Sequence, residues 1–245
     1  RFTTANWHIT GNGVRIPPNM GLSNTVADST VVWDAPITNT ATGTVFFQLP
    51  PYGSAFILPH VLHSAASNRH FRKPHGAGGV GKISLLNPAN TFLGQAILGS
   101  GVSEFVKIAN AGQPSSLGAA VSTTAATIFI GNAGTAYAAD SSYIGTEDGE
   151  TDRIINFGLR GPARFEFNNN SPNNSSLTFN GNWEFAPNTA NNSLILGGTS
   201  LGTNYVNGRL FESGAQAPTI DFGLDIDGPS TWVLNGSYEL QGALR

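Results

Sequence analysis

Between Lys82 and Gly112 the chain reads KISLLNPANTFLGQAILGSGVSEFVKIANAG, with a turn signal every six to ten residues and short apolar bursts between. A chain punctuated this often by Gly, Asn and Pro is built from short segments that bend at each stop. The segments themselves alternate. In SLTFNGNWEF, Leu177, Phe179, Trp183 and Phe185 fall on odd positions, with Thr178, Asn182 and Glu184 between them. In TIDFGLDIDG, Ile220, Phe222, Leu224 and Ile226 alternate with Asp221, Gly223, Asp225 and Asp227. Period two places successive side chains on opposite faces, the signature of strands with one buried face.

From residue 154 onward such segments recur about every ten residues. They fall at 155–159, 164–167, 176–179, 183–185, 193–196, 205–211, 219–226 and 231–235. The best helical candidate is AAVSTTAATIFI, Ala119 to Ile130, but its β-branched residues favour a strand. The expected class is all-β, as a solenoid, sandwich or barrel.

Self-similarity favours the solenoid. KISLLNPANTFLGQA (82–96) resembles STWVLNGSYELQGAL (230–244), each an apolar strand, a Leu-Asn, a turn and then an aromatic, Phe92 or Tyr238. STVVWDAPI (29–37) and PTIDFGLDI (218–226) likewise alternate apolar and acidic residues.

The charged fraction is only 11%, against the usual quarter, and net charge is −3. A surface of this kind is neutral and hydrogen-bonding, unsuited to electrostatic capture of nucleic acid. The absence of Cys excludes disulfides and thiolate chemistry. No apolar run reaches the roughly 18 residues of a membrane span. No basic region followed by an apolar stretch opens the chain, so a signal peptide is expected to be absent or already removed.

GVGKISLLNPANTFLGQAILGSGVSEFVKIANAGQPSSLG resembles the autotransporter-associated β-strand repeat of bacterial surface proteins. Leu85, Asn90, Thr91, Phe92 and Gly94 occupy its first block, and Ile97, Gly101, Ile108, Ala109, Asn110, Leu117 and Gly118 its second. The resemblance covers most of residues 78–245, with departures at Pro88 and at Gly236–Ser237–Tyr238 that fall in turns. It implies a right-handed parallel β-helix, exported and exposed at the cell surface, with no catalytic residues to carry over. On that reading Asn90, Gly94, Gly101, Gly118 and Gly242 are structural turn positions. Windings of about 20–25 residues would give roughly ten coils and a rod some 50 Å long.

Candidate chemistry is sparse. Asp221, Asp225 and Asp227 share one outward strand face, where carboxylates could bind Ca²⁺ or serve acid–base chemistry; ordinary outward polarity is the competing reading, and no other cofactor is expected. TEDGETD (146–152) is the densest acidic stretch, read as a solvated connection with Ca²⁺ chelation as the alternative. HVLHSAASNRHFRKPH carries His60, His63, His70 and His75 with Arg69, Arg72 and Lys73. Residues 60–77 are expected to protrude as a basic, His-rich loop, with partner contact the alternative. Trp7, Trp33, Trp183 and Trp232 are candidates for sugar stacking, but three of them sit in alternating strands beside other apolar residues, so core filling is the expected role. The Asn-rich stretch NNNSPNNSS (168–176) suits side chains that hydrogen-bond from coil to coil.

The expected protein is one β-helix domain over 1–245, a segment or subunit of a longer rod. Its expected role is non-enzymatic, extracellular and adhesin-like: a cell-surface passenger segment or an end-to-end filament subunit meeting glycans or other cells. A carbohydrate-active β-helix enzyme, a carbohydrate-binding module and a compact β-sandwich stay open as alternatives.

Overall fold

The computed structural model describes residues 6–17, 20–24, 26–40, 43–48, 53–73, 81–131, 138–158, 163–185, 192–212 and 222–240. Their backbone winds repeatedly around one axis. The first winding holds β1 (Trp7–Thr10), β2 (Val14–Ile16) and β3 (Gly21–Ser23), the second β4 (Thr30–Asp34), β5 (Ile37–Asn39) and β6 (Gly43–Gln48). The third holds β7 (Ala55–Leu58), β8 (Leu62–Ser64) and β9 (Arg69–Lys73), the fourth β10 (Lys82–Leu85), β11 (Thr91–Phe92) and β12 (Ala96–Leu98). The fifth has β13 (Gly101–Phe105), a one-turn helix α1 (Thr123–Ala126) and β14 (Ile128–Ile130). The sixth has β15 (Ala139–Tyr143), β16 (Gly149–Thr151) and β17 (Ile155–Phe157), the seventh β18 (Ala163–Asn169), β19 (Leu177–Phe179) and β20 (Trp183–Phe185). The eighth has β21 (Asn192–Gly197), β22 (Thr203–Val206) and β23 (Leu210–Glu212), the ninth β24 (Phe222–Ile226), β25 (Thr231–Leu234) and β26 (Tyr238–Glu239).

Three faces result. The first is a nine-stranded sheet, β1-β4-β7-β10-β13-β15-β18-β21-β24, and the third is another, β3-β6-β9-β12-β14-β17-β20-β23-β26. The second is split into two four-stranded sheets, β2-β5-β8-β11 and β16-β19-β22-β25, because winding five contributes no strand to it. All pairings between these strands are parallel, for example Ser141 beside Phe167 and Phe157 beside Phe185. This is a parallel β-helix. Register partners lie 24 residues apart at Trp7 and Val31, 20 at Ile83 and Ser103, and 38 at Ser103 and Ser141. Nine windings, with eight spacings of about 4.8 Å between them, give a stack of roughly 38 Å, shorter than ten even coils because most windings are longer than expected.

Parallel stacking makes like residues recur in columns pointing inward. On the third face Leu98, Ile130, Phe157 and Phe185 form one column, and Phe71, Ala96, Ile128, Ile155, Trp183 and Leu210 the next. Phe157 and Phe185 lie flat on each other, centroids 4.6 Å apart at 6°. Such pairs add about 0.5–1.5 kcal/mol beyond their area burial. Trp183 is fully buried, Trp33 and Trp232 pack against the same core, and Trp7 is exposed.

Corners are tied by side chains. Buried Asn90 accepts the Leu62 N–H at 2.8 Å and donates to the Ser116 carbonyl at 2.9 Å. Asn204 accepts from Leu177 N–H (3.1 Å) and Asn169 Nδ2 (2.7 Å) and donates to the Thr231 carbonyl (3.1 Å), linking windings seven to nine. Asn170 and Asn174 accept the N–H groups of Thr199 and Leu201, so the Asn-rich stretch does bond from coil to coil. Gly101 and Gly118 sit at φ of 76° and 81°, where a side chain is strained. A Cβ on Gly94 would stand 2.0 Å from the Arg69 carbonyl oxygen. Gly242 lies outside the described residues.

Several expectations are corrected. Residues 62–64 and 69–73 are not a protruding loop but the paired strands β8 and β9, with Leu62, Ser64, Phe71 and Lys73 inward; residues 74–77 lie outside the described residues. The stretch 119–130 is a strand only from Ile128. Before it, Ser122 caps α1 by accepting the Ala125 N–H, and Ala125 and Ala126 are buried. The segment 205–211 is two strands, split where Gly208 lies against the Gly181 carbonyl. The echo between 82–96 and 230–244 joins non-equivalent faces, since β10 belongs to the first face and β25 to the second. The other echo is positional: β4 and β24 share the first face.

Replacing Asn90 by Ala strands a buried N–H and a buried carbonyl, and is expected to lower stability by about 2–5 kcal/mol in urea unfolding. The exposed bond from Asn207 Nδ2 to Asn180 Oδ1 is expected to be worth less than about 1 kcal/mol when Asn207 is replaced by Ala.

Candidate functional site

The carboxylates singled out in the sequence do not converge. Asp221 lies outside the described residues; Asp225 is half-buried on β24 and Asp227 is exposed beyond its end. Among the described residues no three His, Asp or Glu side chains gather as a bound metal would need. The imidazoles are likewise dispersed. His63 Nδ1 meets Thr91 Oγ1 at 2.9 Å, and His60 Nδ1 accepts its neighbour's N–H. His70 Nδ1 accepts the Gln95 N–H at 2.9 Å, and burial lowers its pKa. His75 lies outside the described residues.

The outward side of the first face gathers a polar network that the alternation did not single out. Glu104 accepts from Lys82 Nζ (3.2 Å) and Ser84 Oγ (2.6 Å). Asp140 and Glu166 are register partners on β15 and β18. Asp140 accepts from Ser142 Oγ (3.1 Å) and Asn168 Nδ2 (3.0 Å), and Glu166 pairs with Arg164 Nε at 2.8 Å. Neighbouring carboxylates on adjacent strands are the raw material of acid–base chemistry. Here each already accepts a bond from its own or an adjacent strand.

Behind this network lies Lys73, an ammonium-bearing side chain in the inward column of Leu98, Ile130 and Phe157 and only 3% exposed. Its Nζ donates to the Val102 carbonyl at 2.8 Å. Burial pulls its pKa down to about 7, with Asp140 opposing the shift. The inward hydroxyls of Ser103 and Ser141, register partners on the same part of the first face, have no hydrogen-bond partner in the structure.

The largest departure from regularity is winding five, where residues 106–127 replace a second-face strand. Ser115 makes an antiparallel bridge with Asn90, and Ser116 Oγ accepts the N–H groups of Val106 and Lys107. Three consecutive residues of winding six grip this excursion. Thr151 Oγ1 donates to the Ala109 carbonyl (2.9 Å), and Asp152 accepts the Ala111 N–H (2.7 Å). Arg153, 2% exposed, donates through Nε to the Ala126 carbonyl (2.6 Å) and through Nη1 to the Leu117 carbonyl (2.8 Å). Burial lowers the guanidinium pKa to about 10. The stretch 146–152 is therefore no simple solvated connection: it contains β16, and its last two residues hold the excursion from below. Asp148 and Glu150 bond to winding seven through Ser176 N–H and Asn180 Nδ2.

On the flank of the excursion, three successive corners line a half-open recess of about 380 Å³. Leu86 and Pro88 come from winding four, Val106 and Lys107 from winding five, and residues 143–148 from winding six. Tyr143 closes the floor: its hydroxyl donates to the Glu147 carbonyl, and burial pushes its pKa up to about 12. A Cβ on Gly145 would meet the Val106 carbonyl oxygen at 2.0 Å, so this corner admits Gly alone without a shift.

No protein-family model, curated protein or solved structure matches the chain. No helix among the described residues is long and apolar enough to cross a membrane.

Lys73 makes stability depend on alkaline pH. Its amine is protonated up to about pH 10.4 in the unfolded chain but only to about 7 in the fold. Between those values the unfolded state holds more protons, so stability rises with pH, by an upper bound of roughly 5 kcal/mol. Urea unfolding from pH 7 to 10 is expected to show this rise in the parent chain and to lose it in Lys73→Met, which is also expected to be the more stable at pH 7.

Proposed function

We propose that this chain is a non-enzymatic scaffold displayed outside the cell, adhesin-like in role and related to the autotransporter-associated β-strand repeat proteins it resembles. One observation carries the reading: the outward polar side chains are engaged mainly with the neighbouring winding. Glu150, Asn180, Asn207 and Asn235 form a bonded ladder, one rung per winding from the sixth to the ninth. A surface whose polar groups fasten coil to coil supplies length and stiffness rather than a reactive centre. The low charge and uncharged amide rows support use in the open environment of a cell surface, where contact with glycans or other cells is made over an extended face. Strands β24, β25 and β26 pair with winding eight through one edge each. Parallel pairing of this kind extends equally well from winding to winding or from one subunit to the next, which supports a filament subunit as one form of the scaffold.

The register pair Asp140 and Glu166 favours a second reading, a carbohydrate-active β-helix. Incubation with pectin, xylan, chitin and dextran separates the two. The scaffold reading expects no reducing ends and no unsaturated uronate above the buffer control. Product release that disappears in Glu166→Gln would establish the enzyme instead.

A further inference from the structure

We propose that the cavity beside the winding-five excursion is a binding site for a short zwitterionic peptide with an apolar first side chain. This goes beyond the scaffold reading and does not depend on it. The volume, about 380 Å³, lies within the range of small-ligand sites. Its walls are of two kinds. Leu86, Pro88 and Ile144 offer apolar surface, while Lys107 stands among the lining residues with Glu147 and Asp148.

The charges are the informative part. Among the described residues no hydrogen bond or ion pair engages the Lys107 ammonium or the Glu147 carboxylate, and the two do not pair with each other. All three groups are solvent-exposed, so none carries the burden of burial in the empty cavity. Asp148 gives one oxygen to the Ser176 N–H, which fixes the carboxylate and leaves its other oxygen free. A lone cation and two carboxylates around one apolar recess complement a ligand with an anionic and a cationic end. A peptide carboxylate would meet Lys107, its terminal ammonium would lie between Glu147 and Asp148, and its first side chain would cover Leu86, Pro88 and Ile144.

Tyr143 and Gly145 lock the winding-six corner, and Ser116 Oγ holds the backbone of Val106 and Lys107 at 3.2 and 3.1 Å. The one aromatic ring in the lining belongs to Tyr143, which is buried. A sugar, which binds best with its face against an exposed ring, therefore finds no platform here.

Isothermal titration calorimetry on the full chain with the dipeptide Leu-Gly tests this. Leu-Gly is expected to bind saturably, and its N-acetylated and C-amidated forms about tenfold more weakly. Lys107→Met is expected to weaken Leu-Gly about tenfold while leaving the amidated form unmoved, and Glu147→Gln to do the same with the acetylated form unmoved. Both substitutions are at exposed positions and are expected to leave the thermal midpoint unchanged. Equal binding of the blocked forms, tighter binding of digalacturonate, or no saturable heat up to about 10 mM overturns the proposal.

Discussion

The hydrogen bond from one winding to the next is the interaction on which this structure depends. It is made twice, by the backbone in two uninterrupted nine-stranded sheets and by Asn and Asp side chains at the corners. In a parallel stack a slip of one residue would turn every inward Phe, Ile and Leu of that strand outward. Register is thus enforced by the core columns, and the corners absorb differences in length. That is why windings separated by as few as 20 and as many as 38 residues stack in one core.

The same economy explains which irregularities the fold tolerates. Winding five abandons the second face, yet the first and third faces run through it without a break, from β13 to β15 and from β14 to β17. Arg153 fills the gap with a buried cation. Its desolvation is offset in part by hydrogen bonds to two backbone carbonyls, while its Nη2 stays buried without a partner. Lys73 is a second buried cation, with a single backbone acceptor and a pKa lowered to about 7. Both cations carry a desolvation cost, and the Lys73 cost is the one that a modest rise in pH relieves.

Much of this was legible in the sequence where alternation is clean. WEF over 183–185 is a strand with those bounds, and the rule that places Trp183 and Phe185 inward is period two alone. Where charge occupies alternate positions the rule was obscured. RHFRK reads as a basic loop, but His70 and Arg72 point outward and Lys73 inward, as the neighbouring strands demand. The acidic stretch before Arg153 misled for another reason: its partners lie 27 to 42 residues away, and no local pattern announces a clamp at that separation. The cavity was illegible for the same cause, since its three corners become neighbours only once the windings are stacked.

The placement of unpaired charge follows from these constraints. Along the regular windings outward groups such as Glu104, Glu150 and Asn207 find partners one winding away, because each strand is flanked by another at about 4.8 Å. Where a winding leaves the stack that supply of partners fails, and side chains at the adjoining corners are left facing solvent or an unoccupied recess. Lys107 stands at the start of the excursion and Glu147 at the adjoining corner of winding six. In a β-helix whose outward amides largely fasten one winding to the next, a break in the repeat is where a recess and unpaired charges come together.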